Sequence, residues 1–368
     1  MPEIVITGWP AILIAFLLAL SVTWYYIPKV VLIVKQRHLE DKPSKRKIHK
    51  NDVPTLGGIG IFAGFFIGFL FGIDGYMKGL SYFTAAAVTL FFVGIKDDLV
   101  HINYTKKLIG ELSAAVIVAV FTDLSFSSLH GFMGIGAISP WIGLPLTVFV
   151  MIIIINAVNL IDGIDGLAAS VGIIASAVFG VFFYLSGDTG YTVMAASMLG
   201  ALIAFLRFNL SKGHFKIFMG DTGSLVIGFT LAVFAIRFNE LVAGGRAVID
   251  LVSAPSVAIA ILVVPLFDTL RVIVLRLHYH QSPFMADQRH IHHLMLRAGL
   301  SHGEATLYIS LFNIFIIGVA FVLDGLGIIL LGLLVLAVCL IASWLLNRAV
   351  TRKEAGVSVV QEMAGVEA

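Results

Sequence analysis

Charge is what this sequence has least of. Asp, Glu, Lys and Arg make up 12% of its 368 residues, against 59% hydrophobic residues. Soluble domains carry about 25% charged residues, so too little polar surface is present to cover a water-soluble globule of this length. The mean hydropathy of +1.01 says the same, and lipid is the expected solvent for most of the chain. Cysteine is nearly absent. Cys339 stands alone, which excludes an intrachain disulfide and any cysteine-based metal site. Met1-Pro2-Glu3 lacks a positively charged lead, and no small-residue cleavage site follows the first apolar run. That run is expected to be a retained spanning helix. Internal repeats and long linkers are missing too, so residues 1–347 are expected to form one membrane domain, followed by a polar, disordered tail over 348–368.

What is present is a series of apolar runs. A span needs roughly 20 apolar residues, and eleven segments qualify: 10–34, 56–73, 79–95, 107–122, 141–159, 167–185, 191–208, 223–239, 253–276, 305–322 and 326–347. The expected fold is therefore an all-α polytopic membrane protein with about eleven transmembrane helices. Lysine and arginine orient it. The loops on one side hold 20 of the 24 basic residues, seven of them between Lys35 and Lys50. Positive charge accumulates on the cytoplasmic side, which puts the N-terminus outside and the C-terminus in the cytoplasm. Topology and anionic lipid account for the basic stretch, and nucleic acid is not expected as a partner.

Four polar groups fall on that same face: Asp97-Asp98 after the third span, Asn159 to Gly166 between spans five and six, Phe218 to Ser224 entering span eight, and His290-Ile291-His292-His293 after span nine. Aspartates and an asparagine offer only oxygen ligands, which suit magnesium or manganese rather than zinc. Crowded carboxylates repel unless a cation or proton intervenes. Glycines beside Asp162, Asp165 and Asp221 allow close backbone approach to a substrate. Asp162 and Asp165 are three apart and would point the same way on a helical turn. Histidines and basic residues supply positive charge for a splitting pyrophosphate. Each motif alone has a plainer reading: a helix-end charge pair, a turn, an N-cap or a solvated loop. Their shared side argues for function. Asp268 and Glu111 add two carboxylates inside expected spans, where such groups are functional candidates by default, and Pro265 should break or kink the ninth span.

The ordered set Pro54-Thr55-Leu56-Gly57-Gly58, Asp97-Asp98, Asn159 to Gly166, Phe218 to Ser224 and His290 to His293 resembles the polyprenyl-phosphate N-acetylhexosamine-1-phosphate transferases, over roughly residues 10–345. Arg289 to Leu294 with Arg297-Ala298-Gly299 resembles the branch that uses UDP-GlcNAc. The resemblance implies transfer of GlcNAc-1-phosphate to undecaprenyl phosphate with release of UMP, at the bacterial inner membrane with the site facing the cytoplasm. It implies magnesium, with manganese as a substitute, on Asp221, Asp162 and Asn159. It further implies catalytic roles for Asp97, Asp98, Asp162, His290, His292 and His293. Lys50, Asn159, Asp165, Asn209, Phe218 and Arg289 would bind substrate, with Asp165 and Phe218 at the base. It is compatible with a homodimer. UDP-MurNAc-pentapeptide as donor is the main alternative, and a secondary transporter a weaker one, since no repeat symmetry is present. The loop 281–302 should discriminate between the two donors.

Overall fold

The computed structural model describes residues 8–37, 53–73, 77–282 and 289–366, with side chains to Glu354. Each of the eleven expected segments is helical. They are α1 (Trp9–Gln36), α2 (Gly57–Gly72), α3 (Leu80–Val100), α4 (Tyr104–Phe121), α5 (Pro140–Ile161), α6 (Leu167–Leu185), α7 (Thr189–Asn209), α8 (Gly220–Ala243), the pair α9 (Ala254–Ile261) and α10 (Val263–His278), then α12 (His302–Val322) and α13 (Ile328–Val366). A seven-residue α11 (Ile291–Arg297) lies between α10 and α12. Among the described residues, seven helices are long and apolar enough to cross a membrane: α1, α5, α6, α7, α8, α12 and α13. The bent pair α9–α10 makes an eighth if it counts as one span, and α2 is shorter. The chain is thus a multi-pass, mostly helical membrane protein.

The first helices pack through small residues. A Cβ on Gly64 of α2 would collide with Thr23 of α1, whose hydroxyl donates to the Gly60 carbonyl at 3.1 Å. Backbones at that separation gain dispersion contacts and interhelical hydrogen bonds, the forces left where lipid removes the hydrophobic drive. Helix α8 is the axle of the bundle. Its inward residues from Thr222 to Leu241 are almost continuously buried, and Phe229, Phe234 and Phe238 are wholly enclosed. At its far end Glu240 accepts from the Ser127 amide at 2.9 Å and the Ser127 hydroxyl at 2.7 Å. This pins a short hairpin of β1 (Ser128–Phe132) and β2 (Ile135–Ala137).

The ninth expected span is broken rather than kinked. Helices α9 and α10 meet at Leu262 with an 84° bend. Pro265 has no N–H to give Ile261, and its ring crowds that carbonyl, so the helix cannot continue through this turn. Helix α13 carries on past Arg348 to Val366. Its extension is braced where Glu354 accepts from Arg297 at 2.7 Å and Lys353 donates to the Ala298 carbonyl at 3.0 Å.

Candidate active site

Packing of α2, α3 and α8 brings three motifs to one end of the bundle. The Phe218 amide donates to the Pro54 carbonyl at 2.7 Å, and Gly57 and Gly58 donate to the carbonyls of Phe218 and Met219 at 3.0 and 2.9 Å. Gly94 lies so close to Thr222 that a Cβ there would clash. One turn beyond Gly94, Asp98 therefore rests against the first turn of α8. It accepts from the Asp221 amide at 2.7 Å, the Thr222 amide at 3.0 Å and the Thr222 hydroxyl. The first amides of a helix have no partner within it, and a carboxylate there also complements the helix dipole. Asp98 is an N-cap delivered from another helix.

Next to it, Lys107 of α4 ties the acids together. Its ammonium donates to Asp221 at 2.7 Å and to the Asn159 amide oxygen at 3.2 Å, and lies 3.3 Å from Asp97. Asn159 donates to the same Asp221 oxygen and to the Ser224 hydroxyl, the latter at 2.8 Å. Asp97 also accepts from the Ile102 amide at 2.9 Å. Burying an ammonium is costly unless acceptors surround it, and here three do. Sequence reasoning counted Lys107 only toward topology. Its position one turn before Glu111, a carboxylate inside an expected span, was the available signal, since both fall on one face of α4.

Helix α5 ends at Ile161, so Asp162 and Asp165 stand on a turn, not on one helical face as the spacing suggested. They part company there. Burial, then the nearby charges of Asp221, Asp98 and Asp165, push the Asp162 carboxyl well above the usual carboxylate range. Asp165 turns to Lys216, which donates to it at 2.6 Å, with His302 at 3.4 Å from the same oxygen. Burial would raise Asp165, but hydrogen bonds from His302 and Lys216 outweigh it and hold the carboxyl low. Lys216 also stands over the Phe218 ring at 5.6 Å. Asn209 is buried, accepting from the Gly166 amide and donating to the Ile217 carbonyl at 2.9 Å. It joins the aspartate turn to the loop before α8.

The histidines complete the wall. His292 sits directly on Gly163, where a Cβ would strike its ring, and burial followed by the nearby His293 pushes its pKa down to about 3. Neither of its ring nitrogens has a hydrogen-bond partner among the described residues. His290 is buried and donates through Nδ1 to Asp268 at 2.9 Å. His293 packs its ring 4.3 Å from that of His292. Arg289 donates to Gln281 and stands 5.4 Å over the Tyr279 ring. Lys50, and residues 283–288 of the loop 281–302, lie outside the described residues. Beneath His292 an apolar cavity of about 250 Å³ extends between α10, α12 and α13, lined by Phe267, Asp268, His292, Phe312 and Cys339 among others.

The donors suit a hard divalent cation. Asp221, Asp162 and Asn159 contribute only oxygen, and the half-buried Asp162 stands beside three carboxylates whose repulsion a cation would relieve. Among the described residues no three acidic or imidazole groups already surround one point at ligand distance.

Known proteins extend these observations. Residues 80–239 match the model of glycosyl transferase family 4. The undecaprenyl-phosphate alpha-N-acetylglucosaminyl 1-phosphate transferase of Escherichia coli (strain K12) is 33% identical over 284 residues, covering 76% of this chain and 75% of that protein. The protein of the same name from Yersinia pestis is 30% identical over 305 residues, covering 80% and 79%. A probable undecaprenyl-phosphate N-acetylglucosaminyl 1-phosphate transferase of Bacillus subtilis (strain 168) is 32% identical over 301 residues, covering 82% and 81%.

Proposed function

The chain belongs to the polyprenyl-phosphate N-acetylhexosamine-1-phosphate transferases of glycosyl transferase family 4, and we propose that it transfers GlcNAc-1-phosphate from UDP-GlcNAc to undecaprenyl phosphate, giving GlcNAc-pyrophosphoryl-undecaprenol and UMP. The observation that carries this reading is the contact of Asp97, Lys107, Asn159 and Asp221, in which motifs far apart in sequence share one ammonium. The names of the relatives favour UDP-GlcNAc over UDP-MurNAc-pentapeptide as donor. The eleven helical segments and the skew of basic residues support eleven spans in the bacterial inner membrane, with this site facing the cytoplasm.

In the favoured mechanism an oxygen of the lipid phosphate attacks the β-phosphorus of UDP-GlcNAc, and the bond to UMP breaks. No strong base is required, because a phosphate monoester is largely ionised near neutral pH, with its second pKa about 6. A covalent aspartyl-phosphate is disfavoured. Asp98 already accepts three hydrogen bonds as a helix cap, and Asp97 is held by Ile102 and Lys107. Lys107 places a positive charge where the pyrophosphate gains negative charge, and the histidine wall excludes water. Magnesium on Asp221, Asp162 and Asn159 would neutralise the diphosphate and the departing UMP. Asp98 and Asn209 we read as positioning groups. Asp165, Lys216 and Phe218 form the nucleotide side. The cavity beneath His292 takes the first units of the isoprenoid. UMP release from UDP-GlcNAc by purified protein tests the proposal.

A further inference from the structure

Asp268 does more than line the apolar cavity. It is buried on α10, two turns past the break at Leu262, and its two oxygens are divided between two jobs. One accepts from the Ile291 amide at 2.9 Å and caps the start of α11; the other accepts from His290 Nδ1 at 2.9 Å. One turn further along α10, Arg271 donates through both terminal nitrogens to the Arg289 carbonyl at 2.9 and 2.8 Å, and its Nε donates to Ser343 at 3.0 Å. Two side chains of one helix thus grip three consecutive residues of the histidine motif.

The division of labour is informative. A cap needs one oxygen. Aiming the second at a ring nitrogen orients an imidazole, which capping does not require. A carboxylate on Nδ1 selects the tautomer, fixes the ring plane and raises the basicity of Nε2. The oriented ring then runs parallel to His292, 5.7 Å between centroids at 10°, and His292 rests on Gly163 beside Asp162. The 84° bend also gains a purpose, since a straight ninth span would carry Asp268 away from this loop.

We infer that Asp268 and Arg271 are positioning residues for the transfer reaction, acting through His290 rather than on substrate. The inference rests on the transferase reading above. The experiment is a double-mutant cycle on purified protein in detergent with magnesium, UDP-GlcNAc and undecaprenyl phosphate, following UMP. Asp268→Asn should lower kcat about 10- to 100-fold, the range seen when a carboxylate that orients a histidine is lost. KM for both substrates should stay within about threefold. The loss should vanish in a His290→Ala background, so that the double variant equals His290→Ala alone. Additive losses, or an Asp268→Asn enzyme within about threefold of the wild type, would overturn the inference while leaving the transferase reading intact. If Asp268→Asn fails to yield folded protein, Arg271→Lys carries the same cycle, because it keeps the charge and loses the forked donation to Arg289. Wild-type protein that releases no UMP would instead overturn the reading beneath it.

Discussion

Lys107 on α4 donates to Asp221 on α8 at 2.7 Å, and the same ammonium reaches Asn159 and Asp97. This one cation lets acids from two motifs, and the amide of a third, be neighbours in an apolar bundle. Lys107→Gln should lower kcat by about 10²- to 10³-fold, as loss of one charge-stabilising group does in a dry site. It should also lower the thermal midpoint, because buried carboxylates lose their partner. Steady-state UMP kinetics and thermal unfolding in detergent check both; a variant within about threefold of wild-type kcat would contradict the assignment.

Asp98 caps α8 and should therefore behave unlike Asp221. Asp98→Ala should destabilise by about 0.5–2 kcal/mol, the usual cost of an N-cap, and lose activity together with stability. Asp221→Asn should abolish activity with a smaller fall in the thermal midpoint than Lys107→Gln, since Asp97 and Asn159 still hold the ammonium. If Asp98→Ala inactivates the enzyme with no change in the midpoint, Asp98 acts in chemistry and the capping account is insufficient.

Cys339 is the chain's only cysteine and lines the apolar cavity beneath His292. A bulky residue there should compete with the isoprenoid. Cys339→Phe should raise KM for undecaprenyl phosphate several-fold and leave KM for UDP-GlcNAc unchanged. Equal effects on both substrates would remove the lipid from this cavity.

His292 titrates at about 3 in the fold, burial being the main cause, against about 6.5 in an unfolded chain. A depressed pKa means the unfolded state binds the proton first. The stability this group contributes is present above about pH 6.5 and is lost as pH falls toward 3. His292→Gln should flatten that acid limb when thermal midpoints are followed with pH. A wild-type midpoint that does not fall between about pH 6.5 and 4 would contradict a neutral, buried His292.

Much of this is legible in the amino-acid sequence. Long apolar runs report helices because lipid leaves the backbone no other partner, and all eleven segments are helical. Motif order and charge skew brought Asp97, Asn159, Asp221 and the histidines to one face. What stayed hidden were pairings decided by packing between distant helices. Nothing local marks Lys107 as the partner of Asp221, because they lie on α4 and α8 and meet only through the packing of the bundle. The capping contacts of Asp98 were hidden too, since a cap supplied by another helix leaves no local pattern. Pro265 announced a break, yet its size and its delivery of Asp268 to His290 depend on the bundle around it. The Asp162–Asp165 spacing misled because α5 stops at Ile161, turning a helical offset into a turn.

The most direct test follows UMP from purified protein in detergent with undecaprenyl phosphate and magnesium, offering UDP-GlcNAc and UDP-MurNAc-pentapeptide in separate reactions. The account predicts UMP from UDP-GlcNAc alone, abolished by EDTA, restored by magnesium or manganese, and absent in Asp221→Asn. UMP from the pentapeptide donor instead, or UMP release that survives both EDTA and Asp221→Asn, would contradict it.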